Sequence, residues 1–176
     1  MILGLSGESA QQTAPAQPPQ YAQQPASVSL EKITDRVYQV SGGSGANCAV
    51  VIGPKETMVI DAKMNPESAR QMLAEIGKIS PSPIGILVLT HSDGDHVNGL
   101  TGFPEGIKII AHEQTKKNLE EAFQDERARA YVGRIETISE TAVDYDLGGE
   151  NVRRAWRQTL VREERREQVE RGYQLR

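Results

Sequence analysis

An uncharged apolar segment, Ile84-Gly-Ile-Leu-Val-Leu-Thr90, runs directly into His91-Ser92-Asp93-Gly94-Asp95-His96. The apolar part shows no polar alternation, so it reads as a central strand buried on both faces, which requires layers packed on either side of a sheet. The six residues after it carry four side chains of metal-ligand type. Loops beyond the carboxyl ends of central strands are where α/β sheets place their binding sites. A regular strand would send His91, Asp93 and Asp95 to one face and His96 to the other. A helix would scatter them. A loop in which Gly94 takes an unusual backbone conformation gathers all four around one or two ions.

These donors suit zinc or a similar divalent cation, with neutral imidazoles at about 2.0–2.1 Å, carboxylates at about 2.0–2.2 Å, and an open position for water in catalytic sites. A metal held there brings the pKa of its water down toward roughly 7. The same residues also suit a plain polar turn, in which Asp and His side chains satisfy loop backbone groups. Two histidines bracketing two carboxylates directly after a buried strand favour the metal.

The surrounding pattern is that of a layered α/β domain over residues 29–147. Arg36-Val-Tyr-Gln-Val40 alternates like a half-buried strand, Ser41–Gly45 turns the chain, and Asn47–Ile52 is a buried strand. Gly53-Pro54 turns it again before the strand Thr57–Asp61, so the three strands form an antiparallel meander. Asn65 caps a helix that Pro66 begins and Gly77 ends, with Ala69, Met72, Leu73 and Ile76 at helical spacing. A strand at 107–111 and a helix at 113–123 come after the metal-type loop. Cys48, the single cysteine, lies in a buried strand and reads as a small core hydrophobe. It excludes a disulfide framework and a multi-cysteine zinc site.

The two ends differ from this middle. Residues 1–28 are rich in Gln, Ala, Pro and Ser and cannot bury enough surface to offset their ordering entropy, so they read as a disordered arm or the remnant of an export signal. The compartment stays open: cytoplasmic as encoded, periplasmic or secreted with a start site upstream of Met1. Residues 148–176 hold eight of the thirteen arginines against five acids. That near balance reads as a solvated helix or irregular tail and not as a nucleic-acid patch. The net charge of −4 likewise gives no reason to expect a polyanionic partner. No apolar run approaches the ~20 residues of a membrane-spanning helix.

On these residues, 34–124 resemble the N-terminal half of a metallo-β-lactamase-fold hydrolase. The signs are the strand meander, the Val59-Ile60-Asp61 strand end, the helix, the apolar strand and the loop after it. The family loop is His-x-His-x-Asp-His; here His91, Asp95 and His96 match, and Asp93 stands where the family has its second histidine. The resemblance implies an αββα layered fold, with His91 and Asp93 serving a first metal and Asp95 and His96 a second. It further implies that Asp95 positions the nucleophilic hydroxide and that Asp61 supports the site from outside the ligand set. The activity implied is attack by metal-bound hydroxide on a small-molecule ester, lactone, thioester, β-lactam or phosphoester. Zinc is the implied metal, as one or two ions, and a carboxylate at position 93 would shift preference toward harder ions.

The later part of the chain departs from the family, which supplies two more histidines and a bridging acid there. This sequence has three histidines in all, and the third, His112, is expected to be a strand-end residue without a ligand role. Val143-Asp-Tyr-Asp-Leu-Gly-Gly149 still resembles the family, but the arginine-rich stretch comes next. The expectation is a domain incomplete in its C-terminal half, by truncation or frameshift, with apolar strand faces left open to self-association. The alternative to a hydrolase is therefore a catalytically inactive metal-binding or interaction fragment.

Overall fold

Seven strands form one sheet in sequence order: β1 (Ser29–Lys32), β2 (Val37–Ser41), β3 (Cys48–Ile52), β4 (Thr57–Ile60), β5 (Ile84–Leu89), β6 (Lys108–His112) and β7 (Ile135–Ile138). This is a computed structural model, and it describes residues 27–139 and Leu147. The arm up to residue 26, most of the Val143–Gly149 turn and the arginine-rich 148–176 stretch lie outside the described residues. β1 to β4 pair antiparallel and β4 to β7 pair parallel. The expected meander is there, extended by a strand that sequence reasoning missed at each edge. Both β1 and β7 are four residues long and mix apolar with polar residues over too short a span to announce a strand.

The parallel half needs crossovers, and these are helical. α1 (Pro66–Ile79) joins β4 to β5; α2 (Gly94–Val97) and a 3-10 turn at Leu100–Gly102 lead toward β6; α3 (Glu113–Ala122) and α4 (Glu126–Gly133) lead to β7. Alternate strand residues face opposite sides. Val50, Val59, Leu87, Leu89 and Ile109 pack with Met72, Ile76, Leu119 and Tyr131, so one face carries the helix layer. Val51, Met58, Ile86, Val88 and Ile110 form a second cluster on the other face, completed by Leu147. Those residues are buried, so the open apolar face expected from sequence is not what the described residues show. The folded core also starts at Val28, which is buried, one residue inside the segment read as an arm.

Asn65 caps α1 as expected: its Oδ1 accepts from the Ser68 N–H at 2.8 Å, and Pro66 occupies the first turn. The helix does not stop at Gly77. It continues to Ile79, where the Ser80 N–H donates to the Ile76 carbonyl and Pro81 comes next. A helical glycine costs only about 1 kcal/mol relative to alanine, so the capping bond and the proline set the end instead. Residues 94–97 are a second correction. They form one helical turn, closed by the Asn98 N–H donating to the Gly94 carbonyl, and Gly94 has no left-handed φ. A Cβ there would meet the end of the Asn98 side chain, 2.7 Å from Nδ2.

Candidate metal centre

Two neighbouring parallel strands deliver the site's residues from their carboxyl ends. Asp61 follows β4, Thr90 and His91 follow β5, and β5 pairs with β6 through Leu89 and Ala111. Asp61 holds a left-handed backbone, φ 69°, which a non-glycine residue adopts only under constraint. The constraint is visible on both sides. Its N–H donates to the Val88 carbonyl at 2.8 Å, and the next residue, Ala62, donates to the His96 carbonyl at 2.6 Å.

The buried Asp61 carboxylate organises both histidines. Oδ1 accepts from the Thr90 N–H at 2.8 Å, and the Thr90 hydroxyl lies 2.8 Å from both carboxylate oxygens. Oδ2 lies 2.7 Å from His96 Nδ1. A carboxylate only accepts, so His96 donates through Nδ1–H. The Thr90 hydroxyl spends its one proton on Asp61, so its oxygen accepts from His91 Nδ1–H at 2.8 Å. Both imidazoles therefore carry a proton on Nδ1 and turn Nε2 the other way. The rings sit 4.0 Å apart, centroid to centroid.

On the Nε2 side stand the two aspartates. Asp93 Oδ2 is 3.3 Å from His91 Nε2, and Asp95 Oδ2 is 3.5 Å from His96 Nε2. His91 is buried, while the Asp93 and Asp95 side chains are 47% and 42% exposed, so the site opens to solvent through its carboxylates. Ligand atoms of Asp61, His91 and His96 also lie within 4.8 Å of one another. Both Asp61 oxygens are also engaged by Thr90 and His96. Two imidazole Nε2 atoms and two accessible carboxylates are donor types that fit a divalent cation, and the carboxylate–histidine bond behind them is the usual way a ligating ring is fixed.

Where sequence reasoning asked for an irregular loop gathering all four donors, the one-turn α2 sets Asp93 beside His91 and Asp95 beside His96, while the three donors within 4.8 Å of one another are Asp61, His91 and His96. A helical turn places consecutive Asp95 and His96 at its start, and the extended Asp93 just before it, so His91 and His96 meet across the turn. Sequence reasoning missed several supports. Asn118 on α3 donates from Nδ2 to Ser92 Oγ at 3.1 Å and accepts from Gln114 Nε2 at 2.9 Å, tying the loop to the helix. Thr90 carried a signal, as the hydroxyl between apolar strand and first histidine. His112 is not gathered with the donors. It caps α3, its Nδ1 accepting from the Gln114 N–H at 3.2 Å, in keeping with a strand-end role. Cys48 is buried, and burial pushes its thiol up to about 12, which removes it as a nucleophile.

Comparison with known proteins gives these features a family. A sequence model of the metallo-beta-lactamase superfamily matches residues 41–168. The chain is 32% identical over 85 residues to the alkyl/aryl-sulfatase BDS1 of Saccharomyces cerevisiae, covering 48% of this chain and 13% of that one. It is 33% identical over 67 residues to a linear primary-alkylsulfatase of a Pseudomonas species, covering 38% and 12%. The chain thus matches only a small part of either relative. Among solved structures it is similar to a metallo-beta-lactamase from Pontibacter korlensis, with a TM-score of 0.58 and 17% identity over 72% of this chain and 59% of that one. That likeness is one of fold. With a matching model across most of its length, a shared fold, and the Asp-His loop at the end of a buried strand, this chain belongs to the metallo-beta-lactamase superfamily.

Proposed function

We propose that the chain binds a divalent cation, zinc or a harder ion, through His91, Asp93, Asp95 and His96, and serves the metal-dependent hydrolysis of an ester bond in a small molecule. One observation carries this reading. Asp61, directly and through Thr90, fixes both imidazoles with Nδ1–H inward, leaving both Nε2 atoms facing carboxylates 3.3 and 3.5 Å away. A divalent cation in such a site supplies activated water near neutral pH and stabilises charge on the substrate oxygen. The protein's own part is orientation. His91 and His96 are held in one tautomer, Asp93 and Asp95 offset the cation's charge, and Asp95 orients the attacking water by accepting its hydrogen bond. Water adds at the ester centre, the ester bond breaks, and the alcohol leaves with a proton.

The two sulfatases among the relatives put sulfate esters of alkyl alcohols first among substrates to test. A second reading, metal binding without turnover, is favoured by the histidine inventory: three in the chain, with His112 occupied in capping α3. Metal content per folded chain tests the reading, measured beside His96→Ala. About one or two equivalents of tightly held metal in the parent and loss in the variant are expected, followed by release of alcohol from an alkyl sulfate. A parent that retains no metal refutes the reading; retained metal with no turnover on any ester class supports the second.

A further inference from the structure

Lys63 is fully buried and plays no part in the chemistry above. Lysine is almost never fully buried unless its ammonium is paired. Here Nζ donates to the Gly42 carbonyl at 2.8 Å and the Ala46 carbonyl at 2.9 Å, both in the turn between β2 and β3. Its backbone is left-handed, φ 69°, as is that of Asp61 two residues earlier. The turn that the ammonium grips is bound in its own right to the metal-type loop. The Ala46 N–H donates to the Asp95 carbonyl at 3.2 Å, and the Met64 N–H returns to the Ser44 carbonyl at 3.1 Å. The Gly99 N–H, just past α2, donates to the carbonyl of Lys63 itself at 2.9 Å. Gly45 completes the fit: its φ is +107°, and a Cβ there would lie 2.6 Å from the Asp95 carbonyl oxygen.

We propose that Lys63 is a positioning residue for the metal loop. Its buried ammonium clamps the β2–β3 turn against Asp95, and so sets the segment carrying Asp95 and His96 before any cation arrives. The inference rests on the metal-binding reading above, but the clamp itself is a property of the cation-free chain. Hydrogen bonds from an ionised donor are stronger than neutral ones, and a buried ammonium deprived of acceptors is costly, so the turn cannot drift without stranding the charge. Electrostatics alone argues the other way. A positive charge near a cation site opposes cation binding, so deleting it should strengthen binding. The sign of the change therefore separates positioning from bulk charge.

The test uses the full chain with Lys63→Met, and Gly45→Ala as a variant that disturbs the same contact without changing charge. In the cation-free proteins, amide hydrogen exchange is expected to quicken at least about tenfold at Ala46, Ala62 and Gly99 in both variants, while Val88 and Ile110 keep their protection. Titration with cobalt(II) is expected to show binding weakened by about 10-fold or more in both, with altered visible absorption. Unchanged exchange at those three amides in Lys63→Met, or tighter cobalt binding, overturns the proposal. A parent that binds no cobalt refutes the metal reading and leaves exchange to decide the clamp. Should Lys63→Met fail to fold, Lys63→Gln, which keeps an amide donor but not the charge, is read at the same three amides: parent-like exchange overturns the proposal and accelerated exchange supports it.

Discussion

Asp61 does more at the site than its sequence position suggests. One carboxylate orients His96 directly and His91 through the Thr90 hydroxyl, so a single substitution should loosen both rings. In Asp61→Asn, the new amide offers N–H where His96 Nδ1–H needs an acceptor or must surrender its contact with Thr90. Cobalt or zinc affinity is expected to fall by roughly 10–100-fold while the far-ultraviolet circular dichroism stays that of the parent. Wild-type affinity would show that Asp61 does not orient the rings. Cys48 gives a prediction in pH. Burial raises its thiol from an ordinary 9.0 to about 12, with the nearby Lys63 charge opposing the shift. Above pH 9 the unfolded chain releases this proton and the folded chain keeps it, so the unfolded state is favoured increasingly as pH rises to about 12. Cys48→Ala should therefore lose less stability between those pH values than the parent in urea unfolding. The same alkaline slope in both would refute the attribution to Cys48.

At the scale of elements, α1 was legible because local chemistry dictates it. Asn65, Pro66 and the spacing of Ala69, Met72 and Ile76 specify the start and the buried face without reference to the rest of the fold. Asn65→Ala removes the acceptor for the Ser68 N–H and should cost about 1 kcal/mol in urea unfolding. No change would mean that the cap contributes nothing to the helix. Ser68 is itself tied to the site's surroundings, since its Oγ accepts from the Ser44 N–H at 2.8 Å. α2 was not legible. Ser92-Asp93-Gly94-Asp95 has the composition of a turn, and the helical turn it forms is held by long-range bonds from the Ala46 and Ala62 N–H groups to the Asp95 and His96 carbonyls. α4 escaped notice for a related reason. It begins with an Asp125 cap, but its buried Ala128, Tyr131 and Val132 are few among charged residues.

Across the whole molecule, the second apolar face depends on a residue far along the chain. Leu147 is fully buried against Val51, Met58 and Ile86, its backbone carbonyl accepts from the Lys55 N–H at 3.3 Å, and a Cβ on Gly53 would collide with it. Leu147→Ala is expected to destabilise the fold by about 2–5 kcal/mol, read as a lower urea midpoint with an unchanged slope. A variant as stable as the parent would show that Leu147 adds little to that face. Sequence reasoning expected this face to lie open because the family's C-terminal half gives way to the arginine-rich stretch after Gly149. Where Leu147 lands is set by contacts roughly ninety residues away in sequence, which no local pattern encodes.

The central strands, the α/β class, the α1 cap and the identity of the metal-type loop were all written locally. Apolar runs, turn residues and capping chemistry act within a few residues of one another, and His91 to His96 are close in sequence. Tertiary structure decided what those side chains do together. The Nε2 direction of each imidazole depends on Asp61, which lies 35 residues upstream of His96, and the shape of α2 depends on a turn gripped by Lys63. A lysine between apolar neighbours shows no sign in sequence of being buried. Its role exists only because the fold brings two carbonyls to its ammonium and closes water out.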